Sequence, residues 1–455
     1  MFVRLLIHSS RSIPREAPAT IVTAPQISEA EARSLAEAIN QAAGTRPVGE
    51  VQKLVEMALA RAPGHPLVLN SAGGYLQRGG RPAEARALYQ RALAVDPRSK
   101  VLWLNLATAC RSQGDTAAES QALEQALALE PRYVAALLQK ADLLERLGKP
   151  LAAVQMFEAA LHSIPPGESP PPHMTAAVAH AREVVGANTR ALEAFLEREL
   201  EPIRQQHSPA DQQRYNACQD ILLGKRRAYS SLPKDTFFPY LSAIEFFPRE
   251  QFPWLSILED ATEDIAAEAL AALEQHWAEF SPYVAFPPGT PIDNWAPLNH
   301  SRDWSVYPLW HDGAPLPQHQ AACPKTTAAL ARLPMCDVPE YAPGAFFSVL
   351  QPHTHLPPHT GTTNTRSIVH LPLVIPEGCR FRVGAQTRLW EKGRAWVFDD
   401  TIEHEAWNDS NQVRIILIFD IWNPLLTSPE RELVRAMTVA RGRFYGADAP
   451  TMGSR

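Results

Sequence analysis

Apolar positions recur three and four residues apart along segments such as AEARALYQRALAVDP and AAESQALEQALALEP, which predicts amphipathic helices in the first third of the chain. Residues 174–229 also read as helical but carry many charges. From Phe237 the character changes to aromatics and prolines (TFFPYLSAIEFFPREQFPWL), followed by one more predicted helix at about 256–280 and an irregular, proline-rich stretch over 281–345. From Ala345 the period shortens. AFFSVLQP, RSIVHLPLVIP, CRFRVG, RAWVFDD and QVRIILIFDIW are rich in β-branched and aromatic residues, and predict closely spaced strands of a sandwich or barrel such as a jelly roll.

The helical part repeats. Pro63, Pro97, Pro131 and Pro165 stand 34 residues apart, and Gly80, Gly114 and Gly148 keep the same interval, as do Ala92, Ala126 and Ala160 with the leucines that follow them. Each residue type suits its place in a helix-turn-helix unit. Glycine ends the first helix, where a left-handed residue is cheap; alanine lets helices approach; proline follows the second helix, where continuation would cost a hydrogen bond. A 34-residue period is the mark of tetratricopeptide repeats, and residues 66–165 resemble three of them, with a partial helical cap at 47–62. Such stacks leave a concave surface for a protein partner. The run from Ile164 to Pro172 contains five prolines besides Gly167, and reads as a stiff linker.

Charge and cysteine usage narrow the possibilities. With 43 basic against 49 acidic residues, the net charge of -6 argues against nucleic acid as the main partner. The five cysteines are scattered without a CxxC pair, so neither a disulfide framework nor a cysteine zinc site is expected, and a reducing, cytoplasmic setting fits. No stretch approaches the ~20 apolar residues of a membrane helix, and the run Phe2–Ile7 is too short for a signal segment.

Chemistry concentrates in the strand region, which holds His353, His355, His359, His370 and His404. Strand alternation puts Arg366, Ile368 and His370 on one face, and Arg414, Ile416, Ile418 and Asp420 on one face of the last strand. The two isoleucines mark that last face as interior, and an interior arginine needs an anion, from the protein or from a ligand. His353 and His355 read as loop histidines. Asp399, Asp400, Glu403 and Glu405 read as supporting or solvated carboxylates, with a direct ligand role the alternative.

The motifs Pro358-His359-Thr360-Gly361, Thr363-Asn364-Thr365-Arg366, His370-Leu371-Pro372-Leu373, Phe398-Asp399-Asp400, Glu403-His404-Glu405 and Trp407-Asn408-Asp409 resemble, in order and spacing, the aspartyl/asparaginyl β-hydroxylase family. The resemblance runs from about Phe237 to Pro424. It implies a double-stranded β-helix (jelly-roll, cupin-like) oxygenase domain that uses Fe(II), 2-oxoglutarate as cosubstrate and O2. By that resemblance His359 and His404 are the iron ligands, and Arg414, helped by His370 and Ser348, holds the distal carboxylate of 2-oxoglutarate. Arg366 and the pocket tryptophan Trp304 face the substrate. Gly361 occupies the place where most 2-oxoglutarate oxygenases carry a carboxylate ligand, an omission the family shares. Ile368 stands where animal members have a second arginine, so the pocket is expected to be one cation short.

The expected organisation is therefore α+β and multidomain: an unassigned segment 1–46, tetratricopeptide repeats over 47–165, a linker and helical segment over 166–235, the oxygenase-like domain over 236–430, and a helix or tail over 431–455. The expected function is Fe(II)- and 2-oxoglutarate-dependent hydroxylation of Asp or Asn side chains in a peptide, protein or free amino acid, with the repeats as a protein-interaction module. Alternatives are lipid acyl-chain hydroxylation, a cupin-type isomerase, and a non-catalytic repeat adaptor with a degenerate cupin domain.

Overall fold

The computed structural model describes residues 27–165 and 167–446; most of the unassigned N-terminal segment, Pro166 of the linker and the end of the tail lie outside them. The chain forms two compact units, one running to Gln206 and the other starting at His207. The protein is mixed α and β, helical repeats first and a sheet-rich part second.

The described residues of the first unit form helices without strands: α1 (Glu29–Ala42), α2 (Val48–Arg61), α3 (Pro66–Arg78), α4 (Pro82–Val95), α5 (Lys100–Ser112), α6 (Thr116–Leu129), α7 (Val134–Arg146), α8 (Pro150–His162) and the long α9 (Thr175–Arg204). The repeat residues do what their chemistry allows. Gly80, Gly114 and Gly148 adopt φ of 73°, 75° and 68° just past α3, α5 and α7, a conformation that costs other residues about 1–2 kcal/mol. Ala92, Ala126 and Ala160 are wholly buried where paired helices touch. Asp115 caps α6 by accepting from the Ala118 amide at 3.1 Å. Helix α1, from the segment without an assignment, adds Ile39 and Ala32 to the same core.

The second unit contains α10 (Pro209–Leu222), α11 (Leu255–Asp260), α12 (Thr262–Gln275), β1 (Ser281–Pro282), β2 (Trp304–His311), β3 (Ala314–Pro315), α13 (Pro317–Ala322), α14 (Pro324–Leu330), β4 (Ala345–Leu350), β5 (Thr354–His359), β6 (Arg366–Val374), β7 (Cys379–Val383), β8 (Gln386–Leu389), β9 (Trp396–Phe398), β10 (His404–Asn408), β11 (Arg414–Trp422) and α15 (Ser428–Tyr445). One antiparallel sheet runs β1-β2-β4-β11-β6-β9, with β3 on β2; the other runs β5-β10-β7-β8. Period-two alternation splits the first sheet cleanly. Phe347, Val349, Leu371, Leu417 and Phe419 pack with Leu255, Ile265 and Leu330 of the helices. The opposite face contributes Leu350, Phe398 and Ile416 to a second core shared with Leu356, Phe381, Val383 and Ala406 of the other sheet. The result is the expected jelly-roll sandwich, with helices on one outer face.

Two expectations need correction. The stretch 281–345 is not irregular: it holds β1 to β3 and two short helices. Three of its prolines sit where strands tolerate them. Pro282 and Pro315 lie on the short flanking strands, and Pro308 lies at the register shift in β2 opposite β4. The single helix expected at 256–280 is two helices that end at Gln275, broken at Ala261. Strand β5 was likewise hidden by Pro357 and Pro358, which an edge strand accepts.

Candidate active site

His359 closes β5 and His404 opens β10, and the antiparallel register sets them directly opposite one another, just before a bulge in β10. Their ring centroids are 4.0 Å apart with planes at 55°. Each Nδ1 is fixed by a carbonyl two residues back: His359 donates to Pro357 at 2.7 Å and His404 to Ile402 at 3.0 Å. That pairing puts the proton on Nδ1 and leaves Nε2 as the lone-pair atom. Burial pushes the His359 pKa well below its ordinary value, with His404 adding to the shift, and burial brings His404 down to about 4. Two neutral imidazoles thus share one pocket, with the Trp295 ring edge-on to His359 at 4.9 Å.

The far end of the pocket is built by β11, β6 and β4. Arg414 is 1% exposed, and its Nε and Nη1 are buried without a hydrogen-bond partner. Burial lowers its pKa to about 10, so it stays charged at neutral pH. It lies over the Trp390 ring at 5.1 Å. His370 comes from the next strand, wedged between Phe398 and Phe381, and its Nδ1 is also buried without a partner. Burial, followed by the charge of Arg414, holds His370 neutral. Ser348 lines the same end and accepts from the Trp304 indole nitrogen at 3.1 Å. A buried cation beside orphaned donors fits an anionic group with two or more acceptor oxygens.

The remaining wall is aromatic and aliphatic: Tyr283, Phe286, Trp304, Phe346, Ile368 and Ile418. Trp304 stacks on Tyr283 at 4.0 Å. Arg366 is on this wall, but Asp420 of β11 already forms an ion pair with it. Burial opposes the charge on Arg366, yet Asp420 outweighs it and raises the pKa. Asp420 also accepts from the Gly344 amide at 2.6 Å, which ties the pair to the backbone. Strand alternation predicts Arg366 on the cavity face but not its partner, because Asp420 comes from a different strand.

Of Asp399, Asp400, Glu403 and Glu405, Asp400 lines this pocket with the histidines; Asp420 lines it beside Arg366. Burial raises the Asp400 pKa to about 7, helped by Asp399. A β-carbon built on Gly361 would collide with the Asp400 carboxylate, so the two residues compete for one space. Asp399 instead accepts from Ser231 and Thr401. Glu405 binds Arg382 and His355, and Glu403 binds Arg382. His353 bonds Asn411, away from the pocket. Among the described residues no group of three His, Cys, Asp or Glu is arranged to hold a metal. The histidine pair stands in the pocket with no third side-chain donor of these types grouped beside it among the described residues. Lys234, Tyr283, Trp295 and Trp390 were not visible from the sequence; their segments carry no motif that distinguishes them.

Fold and site define a jelly-roll protein with a buried pocket that sets two imidazoles at one end and an arginine at the other. Residues 259–424 match the family model described as Aspartyl/Asparaginyl beta-hydroxylase, and residues 68–109 and 101–133 match tetratricopeptide repeat models. The chain thus carries an aspartyl/asparaginyl β-hydroxylase-type domain behind tetratricopeptide repeats. The aspartyl/asparaginyl beta-hydroxylase of Mus musculus is 41% identical over 145 residues, which is 31% of this chain and 19% of that protein. Aspartate beta-hydroxylase domain-containing protein 2 of Rattus norvegicus is 29% identical over 204 residues, 44% of this chain and 57% of that one. The ornithine lipid ester-linked acyl 2-hydroxylase of Rhizobium tropici is 37% identical over 131 residues, 28% of this chain and 44% of it. The match spans only part of each relative, from about a fifth to somewhat over half its length. No helix among the described residues is long and apolar enough to cross a membrane.

Proposed function

We propose that the second unit is an Fe(II)- and 2-oxoglutarate-dependent dioxygenase that hydroxylates an Asp or Asn side chain in a peptide, protein or amino acid. The repeats then serve as a protein-binding module, and the unpaired cysteines suit a cytoplasmic setting. One observation carries the reading: two neutral imidazoles line the pocket whose opposite end holds Arg414, with no carboxylate among the described residues paired to its charge.

In this reading His359 and His404 would hold the iron through Nε2, with their Nδ1 hydrogen bonds fixing ring orientation. Arg414 receives the distal carboxylate of 2-oxoglutarate as a fork of N–H donors, with His370 and Ser348 beside it. When bound, iron(II) and 2-oxoglutarate supply an oxidation by O2 that the side chains alone cannot perform. The chain's own contribution is placement and dryness. Trp304 bridges the two ends by bonding Ser348 and stacking on Tyr283, and the apolar wall excludes water from the reacting centre. Asp400 fills the space that a side chain on Gly361 would enter, and its raised pKa suits it to hold a proton there.

A second reading, hydroxylation of an acyl chain, is favoured by the apolar wall around Ile368 and by the name of the Rhizobium relative. A screen decides between them. The protein with iron(II), 2-oxoglutarate and O2 is offered Asp peptides, Asn peptides, free amino acids and acylated amino acids, and products are weighed for one added oxygen. Oxygen gained only by acyl chains would replace the first reading with the second, and gain by none would leave a non-catalytic adaptor.

A further inference from the structure

The segment before α11 places a cation at the mouth of the pocket. The Leu232 amide donates to the Thr401 carbonyl at 2.7 Å, and the Lys234 and Asp235 amides donate to Gly361 and Thr362 at 3.0 Å each. The strap is thus stitched to both histidine-bearing stretches, two residues beyond His359 and three before His404. Ser231 bonds Asp399 at 2.7 Å, and Arg441 of α15 grips Asp235, which anchors the strap on both sides of Lys234. The Lys234 side chain lines the main pocket with His359 and Asp400, and also an outer cleft with Phe286, Asn294 and Trp295.

The charges around the pocket are assigned by elimination. Arg366 is engaged by Asp420, and Ile368, the next residue along that strand face, brings no charge. Arg414 lies at the far end, where the cosubstrate is proposed. Among the described residues no carboxylate lies within ion-pair distance of the Lys234 ammonium; Asp400 acts on it only from further off. Lys234 is exposed overall, yet the protein atoms packed around it lower its pKa.

We infer that Lys234 is a specificity-determining residue that meets the side-chain carboxylate of the substrate, so that this site selects Asp over Asn. The inference rests on the hydroxylase reading of the same pocket. It supplies from the strap the cation that the strand lacks at Ile368. Because the ammonium sits at a partly open mouth, its effect is screened by salt and amounts to about a tenfold preference.

The test is equilibrium binding to the full chain, loaded anaerobically with iron(II) and 2-oxoglutarate and followed by fluorescence of the pocket tryptophans. The probes are blocked Gly-Asp-Gly and Gly-Asn-Gly tripeptides. Wild type should bind the Asp peptide about tenfold tighter, Lys234→Gln should bring the ratio to about one, and Lys234→Arg should restore it. Equal binding by wild type, no binding of either peptide, or a ratio that survives Lys234→Gln overturns the inference. Failure of the hydroxylase reading looks different: wild type would then form no succinate from 2-oxoglutarate, whatever the peptide ratio.

Discussion

The Asp400 carboxylate fills the space that a side chain on Gly361 would enter. The backbone brings them together, since the Gly361 amide donates to the Asp400 carbonyl at 2.7 Å. A carboxylate from the loop before β10 thus occupies the room beside Gly361.

A steric coupling follows. Gly361→Ala should destabilise the second unit by about 1–3 kcal/mol, because Asp400 must leave a buried position to make room. Asp400→Gly in the same chain should recover most of that loss. A urea double-mutant cycle measures the coupling, and additive effects would mean that the two residues do not compete.

Asp400 also predicts a pH dependence. Its folded pKa of about 7 lies above the ordinary 3.8, so the folded state keeps a proton that the unfolded state loses. Stability from this group should fall as pH rises through that window, by about 2–4 kcal/mol in total. Metal-free Asp400→Asn should lack this component. Urea unfolding at pH 4.5 and 7.5, at roughly the two ends of the window, should show the variant gaining on wild type at the higher pH. A constant difference between the two would contradict it.

The buried pair of Arg366 and Asp420 should behave as a unit. Arg366→Met leaves a carboxylate buried without its cation and should cost about 3–5 kcal/mol. Adding Asp420→Asn, which can still accept from the Gly344 amide, should return much of that stability. If the second change adds a further loss, the pair is not what holds these strands' inner faces together.

Much of the site was legible because strand alternation and motif spacing are local properties. His359, His404, His370 and Arg414 all line one pocket, and Ile416 and Ile418 correctly marked the inner face of β11. The 34-residue spacing likewise located the helix ends, where Gly80, Gly114 and Gly148 take positive φ. What stayed hidden were pairings between distant segments: Asp420 against Arg366, Asp400 against Gly361, and the strap that carries Lys234. No periodicity reports which loop fills a given space. Prolines misled for a related reason, since an edge or a bulge excuses Pro308, Pro357 and Pro358 only once the sheet order is known.

The central claim is that the histidine pair and Arg414 serve one iron and one 2-oxoglutarate. Succinate formation measured against 2-oxoglutarate concentration, in wild type and in Arg414→Ala, tests it most directly. Wild type should form succinate only with iron(II), and His404→Ala should abolish it. Arg414→Ala should need at least about tenfold more 2-oxoglutarate, as expected for loss of a charge-assisted fork, while its iron requirement stays near that of wild type. No iron-dependent succinate from wild type, or an equal rise in both requirements in Arg414→Ala, would contradict the account.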